Sequence, residues 1–278
     1  MRTKRTHRAV ALFRSFAHRV RANKLSFFIY VLLGTGTLTV AVLTLIDGQY
    51  ESTFTAVLSL LLLLLPTFVE ESFRIKLPLA LETVAVLFVF CANILGEIFA
   101  FYTYVPFWDD LLHCTSGFIF AAFGFSLAQL LNRNAGFDFH ISPIFVSTVA
   151  LCFAVTVGVV WELFEFCADA LLHTDMQRDT VLDGIHSAYL NSEGQTPVGI
   201  DAVVQTSVVS STGEVLRIRG YLDIGLVDTM KDLFIDFVGA LLFCVIGYFY
   251  MGHSARARIA RQFIPRVRAS DDELREKE

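Results

Sequence analysis

Six long apolar segments, separated by mostly short polar stretches, dominate the pattern of hydrophobic positions along the chain. A helix needs about 20 mainly apolar residues to cross the roughly 30 Å hydrocarbon core of a bilayer. The segments of suitable length are residues 25–46, 53–69, 78–102, 107–131, 143–167 and 228–251. The pattern therefore predicts an all-α membrane protein, a bundle of six transmembrane helices.

One longer polar segment, residues 168–227, separates the fifth and sixth apolar segments. Residues 202–209 and 214–219 are rich in β-branched side chains, and Gly213 lies in the turn between them. Two such runs around a glycine turn predict a small β-hairpin. The sequence leaves open whether this insertion is a lid over a site or only a connection.

Basic residues are concentrated at the two ends of the chain, although the formal net charge is −5. Loops rich in Lys and Arg stay in the cytoplasm, and the short loops alternate accordingly. The predicted location is the plasma (inner) membrane, with both termini cytoplasmic and the insertion outside. The predicted parts are a leader (1–24), the membrane domain (25–251) with its insertion (168–227), and a tail (252–278).

The leader combines arginines with apolar residues at helical spacing, among them Val10, Phe13 and Val20. Such a pattern predicts an amphipathic helix that lies on the membrane surface. Its expected partners are membrane lipids, in particular the anionic headgroups of the inner leaflet. Nucleic acid is the rival partner for a basic segment, but the adjacent membrane anchor favours the lipid surface, so no nucleic-acid partner is expected.

Carboxylates lie inside the third to sixth apolar segments, where a charged group is costly. In the predicted topology most of them fall in the outer half of the bilayer, which was assigned from Lys and Arg alone. They surround one histidine. The residues concerned are Glu97, Asp109, Asp110, His113, Glu162, Glu165, Asp228, Asp232 and Asp236.

Many carboxylates with few cationic partners indicate that protons or a metal ion complete the charge balance. Histidine and carboxylates are suitable ligands for Zn²⁺ or Mn²⁺. The sequence therefore predicts a divalent metal site in which His113, Glu165, Asp232 and Asp236 are the ligand candidates. Glu162 and Asp109 are the candidate catalytic groups, with Glu162 as general base. Asp110, Asp228, Glu97 and Ser116 are predicted to be further polar members of the site.

Each of these residues also has a purely structural interpretation. Asp228 is in a position to cap the sixth helix, and Glu97 to form a hydrogen bond between helices. Gly117 and Gly239 are small enough to serve only close helix packing. Glu82, near the cytoplasmic end of the third segment, is interpreted as an interfacial acid outside the cluster.

The same residues carry a resemblance to a known family. The chain resembles the YjdF-like family of predicted bacterial inner-membrane proteins and, more distantly, the VanZ-like family. The residues that match are Asp109 to His113 with Ser116 and Gly117, then Trp161, Glu162 and Glu165, then Asp228, Asp232, Asp236, Gly239 and Ala240. The VanZ-like pattern has Lys, Gln and Asn where this chain has Asp110, Glu165 and Asp236. Each change makes the site more acidic, so the resemblance implies architecture more firmly than chemistry.

Three functions remain open at the level of sequence. The first is a metal-dependent intramembrane enzyme that acts on a lipid or lipid-linked envelope substrate. The second is a cation- or proton-coupled transporter, in which Asp228, Asp232 and Asp236 form a relay. The third is a non-enzymatic scaffold or sensor, in which the acids only join helices.

Overall fold

The structure, a computed structural model, describes residues 24–73, 75–134, 142–192, 194, 196–251, 263, 264, 266 and 267. In this part of the chain six helical segments are long and apolar enough to cross a membrane. The predicted fold class, an all-α membrane bundle with a few small strands, is therefore confirmed. The predicted leader helix, apart from Lys24, and most of the predicted tail lie outside the described residues.

The helices follow the predicted apolar segments closely. They are α1 (Lys24–Ile46), α2 (Tyr50–Leu62), α3 (Leu65–Phe73), α4 (Leu79–Phe90), a π-helix (Cys91–Ile98), α5 (Phe101–Tyr104), α6 (Trp108–Asn134), α7 (Pro143–Leu172) and α8 (Leu226–Met251). The largest difference is at the end of α7, which continues to Leu172 instead of ending at residue 167. Apolar residues, including Leu171 and Leu172, prolong the helix there.

The second membrane segment is interrupted between α2 and α3. Its helical pattern breaks at residues 63–64, just before Pro66. Proline has no backbone N–H and is tolerated in the first turn of a helix, where no such donor is needed. A new helix therefore begins at Leu65.

The third membrane segment changes from α4 into a π-helix at Cys91. Hydrogen bonds in a π-helix run from residue i to i+5, so each turn holds more residues than a turn of an α-helix. Glu97 is exposed, whereas Asn93 is half-buried and donates through Nδ2 to the Val89 carbonyl oxygen at 3.1 Å. Asn93 and Glu97 therefore differ in their exposure within this segment.

Along the spans, many large apolar side chains are exposed while several acids are buried. Phe28, Phe54 and Leu61 are more than 60% exposed. The buried acids of the described residues are Glu70, Glu82, Glu162, Glu165, Asp232 and Asp236. This distribution is the reverse of that in a soluble protein and is typical of a bundle whose outer surface contacts lipid.

Glu82 is one of these buried acids. Only 5% of its surface is exposed, and Oε1 accepts a hydrogen bond from the Tyr30 hydroxyl of α1 at 3.0 Å. Glu70 on α3 is buried as well, and its Oε1 accepts from the Leu77 backbone N–H at 2.6 Å. Local packing thus places both carboxyl groups inside the protein.

The main core joins α4, α6, α7 and α8. Alanines from α6, α7 and α8 form much of it, and small residues let membrane helices approach closely. Its fully buried members are Leu81, Ala121, Ala122, Phe125, Val146, Ala150, Ala154, Ala240, Phe243, Cys244 and Ile264. Ile264 comes from the segment after α8, so this short stretch of the tail belongs to the core.

The same stretch of the tail also pairs with the loop after α3. Strand β1 (Ile75–Lys76) is antiparallel to β8 (Arg266–Val267). The ring of Phe263 packs edge-on against Phe118 of α6, with centroids 5.5 Å apart. The sequence contains no apolar run long enough to predict this return.

Contacts separate two compact units, one made of residues 1–157 and 235–278 and the other of residues 158–234. The second unit contains the insertion. Its strands are β2 (Thr180–Leu182), β3 (Ile185–Ser187), β4 (Val198–Ile200), β5 (Thr206–Val209), β6 (Val215–Ile218) and β7 (Tyr221–Asp223). The pairs are β2 with β7, β3 with β4 and β5 with β6, all antiparallel.

The predicted hairpin is confirmed as β5 and β6. Thr206 pairs with Ile218 and Val209 with Val215, around a turn in which Gly213 has φ +89°. That left-handed backbone conformation favours glycine because other residues meet a steric penalty from Cβ. Val209 and Leu216 remain 65% and 64% exposed.

Candidate metal site

The first turns of α6 carry three polar side chains that point to one place. Asp109 and His113 are four residues apart, and their Oδ1 and Nε2 atoms lie 3.7 Å from each other. The Ser116 hydroxyl donates to the His113 carbonyl oxygen at 2.8 Å. The side chains of His113 and Asp109 are 10% and 18% exposed. The α-helical spacing of the sequence motif is thus sufficient to bring Asp109 and His113 together.

Asp236 of α8 contacts both His113 and Ser116. Its Oδ2 lies 3.3 Å from His113 Nδ1, and its Oδ1 accepts a hydrogen bond from the Ser116 hydroxyl at 2.5 Å. Both carboxylate oxygens of a nearly buried acid therefore have partners on α6. With Nδ1 protonated and donating to Asp236, the Nε2 atom of His113 is left with its lone pair on the side of Asp109.

Two glycines make this approach of α6 and α8 possible. A Cβ atom added at Gly117 would overlap the backbone carbonyl oxygen of Asp236, and one added at Gly239 would overlap that of Cys114. Further along, Phe118 and Phe243 meet edge-to-face with centroids 5.3 Å apart. From His113 beside Asp236, through Phe118 beside Phe243, to Phe125 beside Gly247, the contacts advance in the same direction along both helices. Helices α6 and α8 therefore run parallel, as the fourth and sixth spans of an alternating topology must.

Asp232 lies one turn before Asp236 in the uninterrupted helix α8 and is 1% exposed. One ligand atom from each of Asp109, His113 and Asp232 falls within 4.8 Å of the others. A His/Asp/Asp group within metal-binding distance is therefore present. It is the one such group found among the residues that the structure describes.

Glu162 and Glu165 occupy α7 and are buried, with 4% and 8% of their surface exposed. Trp161, Phe164 and Phe166, their neighbours on the helix, are exposed. This alternation buries both predicted acids on one side of α7, but Glu165 does not belong to the His/Asp/Asp group. Asp236 lies outside that group too, and its two oxygens contact His113 and Ser116.

Asp110, Asp228 and Glu97, the remaining acids predicted for the site, lie outside the His/Asp/Asp group. Asp110 is half-buried beside Asp109 in the first turn of α6. Asp228 does not cap α8: the Asp223 carboxylate accepts from the Val227 N–H at 2.8 Å, whereas Asp228 accepts from the Arg178 N–H at 2.8 Å. Glu97, in the π-helix, is exposed.

A second cluster of acids lies in the unit formed by residues 158–234. Burial, and then the nearby carboxylates of Asp175, Asp223 and Asp169, raise the pKa of Asp179 above its ordinary value. Asp169 accepts hydrogen bonds from the backbone N–H groups of Met176 and Gln177 at 2.7 and 2.8 Å. These bonds tie the start of the insertion to the end of α7.

The sequence motifs did not identify Trp108, the first residue of α6. Its indole Nε1 donates to the carbonyl oxygen of Cys91, the first residue of the π-helix, at 3.3 Å. Its ring packs edge-on against Phe101, with centroids 4.8 Å apart. The one sequence signal was its position directly before Asp109, which does not by itself distinguish a functional residue from an interfacial tryptophan.

Comparisons with known proteins agree with the membrane architecture. The model of the family described as "Predicted membrane protein (DUF2238)" matches residues 28–253, a range that contains every residue of the candidate site. An uncharacterized protein of Thermotoga maritima is 30% identical over 84 residues, which cover 30% of this chain and 41% of that relative. The aligned part thus spans less than half of the relative's length. No solved structure gives a significant match.

Proposed function

We propose that this chain, which belongs to the DUF2238 family of predicted membrane proteins, binds one divalent transition-metal ion through Asp109, His113 and Asp232. The observation that carries the proposal is the His/Asp/Asp group whose ligand atoms lie within 4.8 Å of one another. Two ligands bound at about 2.0–2.2 Å in tetrahedral geometry lie about 3.3–3.6 Å apart. The 3.7 Å between His113 Nε2 and Asp109 Oδ1 is close to that separation.

The contacts of Asp236 suit a residue that orients His113 in such a site. Histidine ligands usually donate their second ring N–H to a carboxylate, which fixes the ring and makes the ligating nitrogen more basic. Asp236 is placed to accept from His113 Nδ1, and Ser116 holds the other oxygen of Asp236. This proposal differs from the sequence prediction, because Asp109 becomes a ligand and Asp236 orients His113.

The donor set favours Zn²⁺ or Mn²⁺. One imidazole and two carboxylates are ligands that both ions accept, and three protein ligands leave room for water or substrate at the metal. A metal ion also offsets the charge of acids that are expensive to bury.

The reaction that we propose is metal-dependent hydrolysis of a lipid or lipid-linked envelope substrate. A metal ion held by Asp109, His113 and Asp232 would supply an acidified water as the nucleophile. Glu162 is the proposed general base, which would take the proton from that water and return it to the leaving group. In the topology proposed from Lys and Arg, the site opens towards the outer half of the plasma membrane and both termini are cytoplasmic. The basic leader is proposed to rest on anionic headgroups of the inner leaflet.

Asp232→Asn tests the metal site. The purified protein is expected to bind about one equivalent of Zn²⁺ or Mn²⁺, and the variant to bind it at least about tenfold more weakly, because an amide oxygen replaces an anionic ligand. Equilibrium titration followed by elemental analysis provides the measurement. Asp228→Asn is the matched control, since Asp228 lies one turn earlier on α8 and accepts from the Arg178 backbone. Equal metal binding by both variants would contradict the assignment of Asp232.

Cation- or proton-coupled transport is the second candidate function, and the burial of Glu70 and Glu82 favours it. A relay needs acids at more than one depth, and these two lie on α3 and α4, apart from the His113 group. In proteoliposomes, Glu82→Gln is expected to reduce metal-stimulated proton flux at least about tenfold if the relay operates, because an amide does not exchange a proton. Glu51→Gln, at an exposed acid of α2, is the control. Unchanged flux in the Glu82 variant would eliminate this relay.

A further inference from the structure

The hydrogen bond of Trp108 joins the π-helix to the first turn of α6. The acceptor is the carbonyl oxygen of Cys91, where the regular α-helix ends and the π-helix begins. π-Helical turns are rare and occur frequently at functional sites. Trp108, which directly precedes Asp109, therefore connects an unusual backbone segment to the start of α6.

The chain between the two ends of this bond is closely packed. Ala100 adopts a left-handed backbone conformation with φ +55°. A side chain at Gly96 would overlap the ring of Tyr102. Phe101 presents its ring to the edge of Trp108. The indole of Trp108 thus packs among residues of the π-helix, α5 and the start of α6.

The first turn of a helix needs such support. Its backbone N–H groups have no partners within the helix, and helix ends fray. Asp109 lies in that turn of α6, while its partner His113 lies one turn deeper and is fixed by Asp236. Loosening the first turn would let the Asp109 carboxylate leave His113 Nε2 while the rest of the site stayed in place.

We propose that Trp108 is a positioning residue for the metal site: its indole N–H bond to the Cys91 carbonyl oxygen holds the Asp109 carboxylate beside His113. The inference rests on the proposed function, because it assigns Trp108 an effect on metal binding through Asp109. Trp108 itself contacts no metal ligand atom in this account. Its effect should therefore disappear when Asp109 no longer ligates.

Trp108→Phe removes the N–H donor and keeps an aromatic ring beside Phe101. The expected result is metal binding about 10–100-fold weaker, the range typical of residues that orient metal ligands. Co²⁺ serves as the probe, since its visible absorption reports the coordination geometry as well as the affinity. Trp161→Phe is the matched control because Trp161, the other tryptophan of the chain, is 47% exposed on α7.

The double variant of Trp108 and Asp109 separates positioning from general stability. In an Asp109→Asn background, Trp108→Phe is expected to cause little further loss of Co²⁺ affinity, because residues that act as a unit are not additive. A purely structural role predicts the same loss in both backgrounds. Additive losses, or Trp108→Phe binding Co²⁺ like Trp161→Phe, would overturn the inference.

If the Trp108→Phe protein does not fold, a tryptophan analogue of nearly the same shape can be used to remove the indole N–H. In the Trp161→Phe protein Trp108 is the one remaining tryptophan, so growth on 3-benzothienylalanine exchanges its N–H for sulfur with almost no change in shape. Weaker Co²⁺ binding than in the Trp-containing protein supports the inference, and equal binding overturns it. If the unmodified protein binds no Co²⁺, Zn²⁺ or Mn²⁺, the proposed function fails first and this inference fails with it.

Discussion

His113→Ala is expected to weaken the binding of Zn²⁺ or Mn²⁺ by more than about 100-fold, because loss of a ligand exceeds the 10–100-fold effect of losing a residue that only orients one. The variant removes the one imidazole of the His/Asp/Asp group. It also leaves Asp236 without the ring nitrogen that lies 3.3 Å from its Oδ2. Isothermal titration of metal-free protein in detergent measures the change.

Asp236→Asn tests whether Asp236 orients His113 or binds the metal itself. An amide oxygen still accepts from His113 Nδ1, but without the negative charge that raises the basicity of the ring, so a loss of about tenfold is expected. We therefore expect His113→Ala to reduce metal affinity much more than Asp236→Asn does. If Asp236→Asn abolishes binding as completely as His113→Ala, Asp236 is a ligand, as the sequence motif had indicated. His186→Ala, at an exposed residue of the insertion, is the control.

Gly239→Ala is expected to lower the thermal stability of the protein. The new Cβ would overlap the Cys114 carbonyl oxygen, and backbone atoms of α6 cannot move aside as a flexible side chain can. Overpacking of this kind typically costs about 1–3 kcal/mol, and more where the backbone must shift. Because α6 and α8 would separate beside His113 and Asp236, metal affinity should fall with stability.

Gly34→Ala is the control for that substitution. Gly34 is also inside a membrane helix, but a Cβ added there meets nothing within 4 Å. Alanine is favoured over glycine within a helix by about 0.5–1 kcal/mol, so this variant should be neutral or slightly more stable. Melting temperatures in detergent, measured with and without Zn²⁺, compare the two variants. An equal, small effect of both substitutions would show that α6 and α8 are not in backbone contact.

Hydropathy was sufficient to predict the six membrane segments, because the bilayer sets the length of every spanning helix. The hairpin around Gly213 was also predictable, since alternation and turn residues are local signals. The π-helix at Cys91 was not, because its composition is that of an ordinary apolar helix. The pairing of β1 with β8 joins residues far apart in sequence and leaves no periodic pattern.

The sequence indicates which residues lie near the candidate site better than it indicates what each of them contacts. Spacing within α6 predicts that Asp109 and His113 share a face, and the structure places their atoms 3.7 Å apart. Which acid of α8 contacts His113 depends on the helix crossing at Gly117 and Gly239, which only tertiary structure defines. For the same reason the contribution of Trp108 was missed: its partner is a backbone carbonyl oxygen 17 residues earlier.

X-ray absorption spectroscopy of the metal-loaded protein tests whether His113 binds the metal. With Zn²⁺ bound, we expect one imidazole nitrogen and two or more oxygen ligands at about 2.0–2.2 Å, and no sulfur. The imidazole signal should vanish from the His113→Ala spectrum. A protein that takes up no stoichiometric metal, or a bound metal whose ligands include no imidazole in the unmodified chain, would contradict the account.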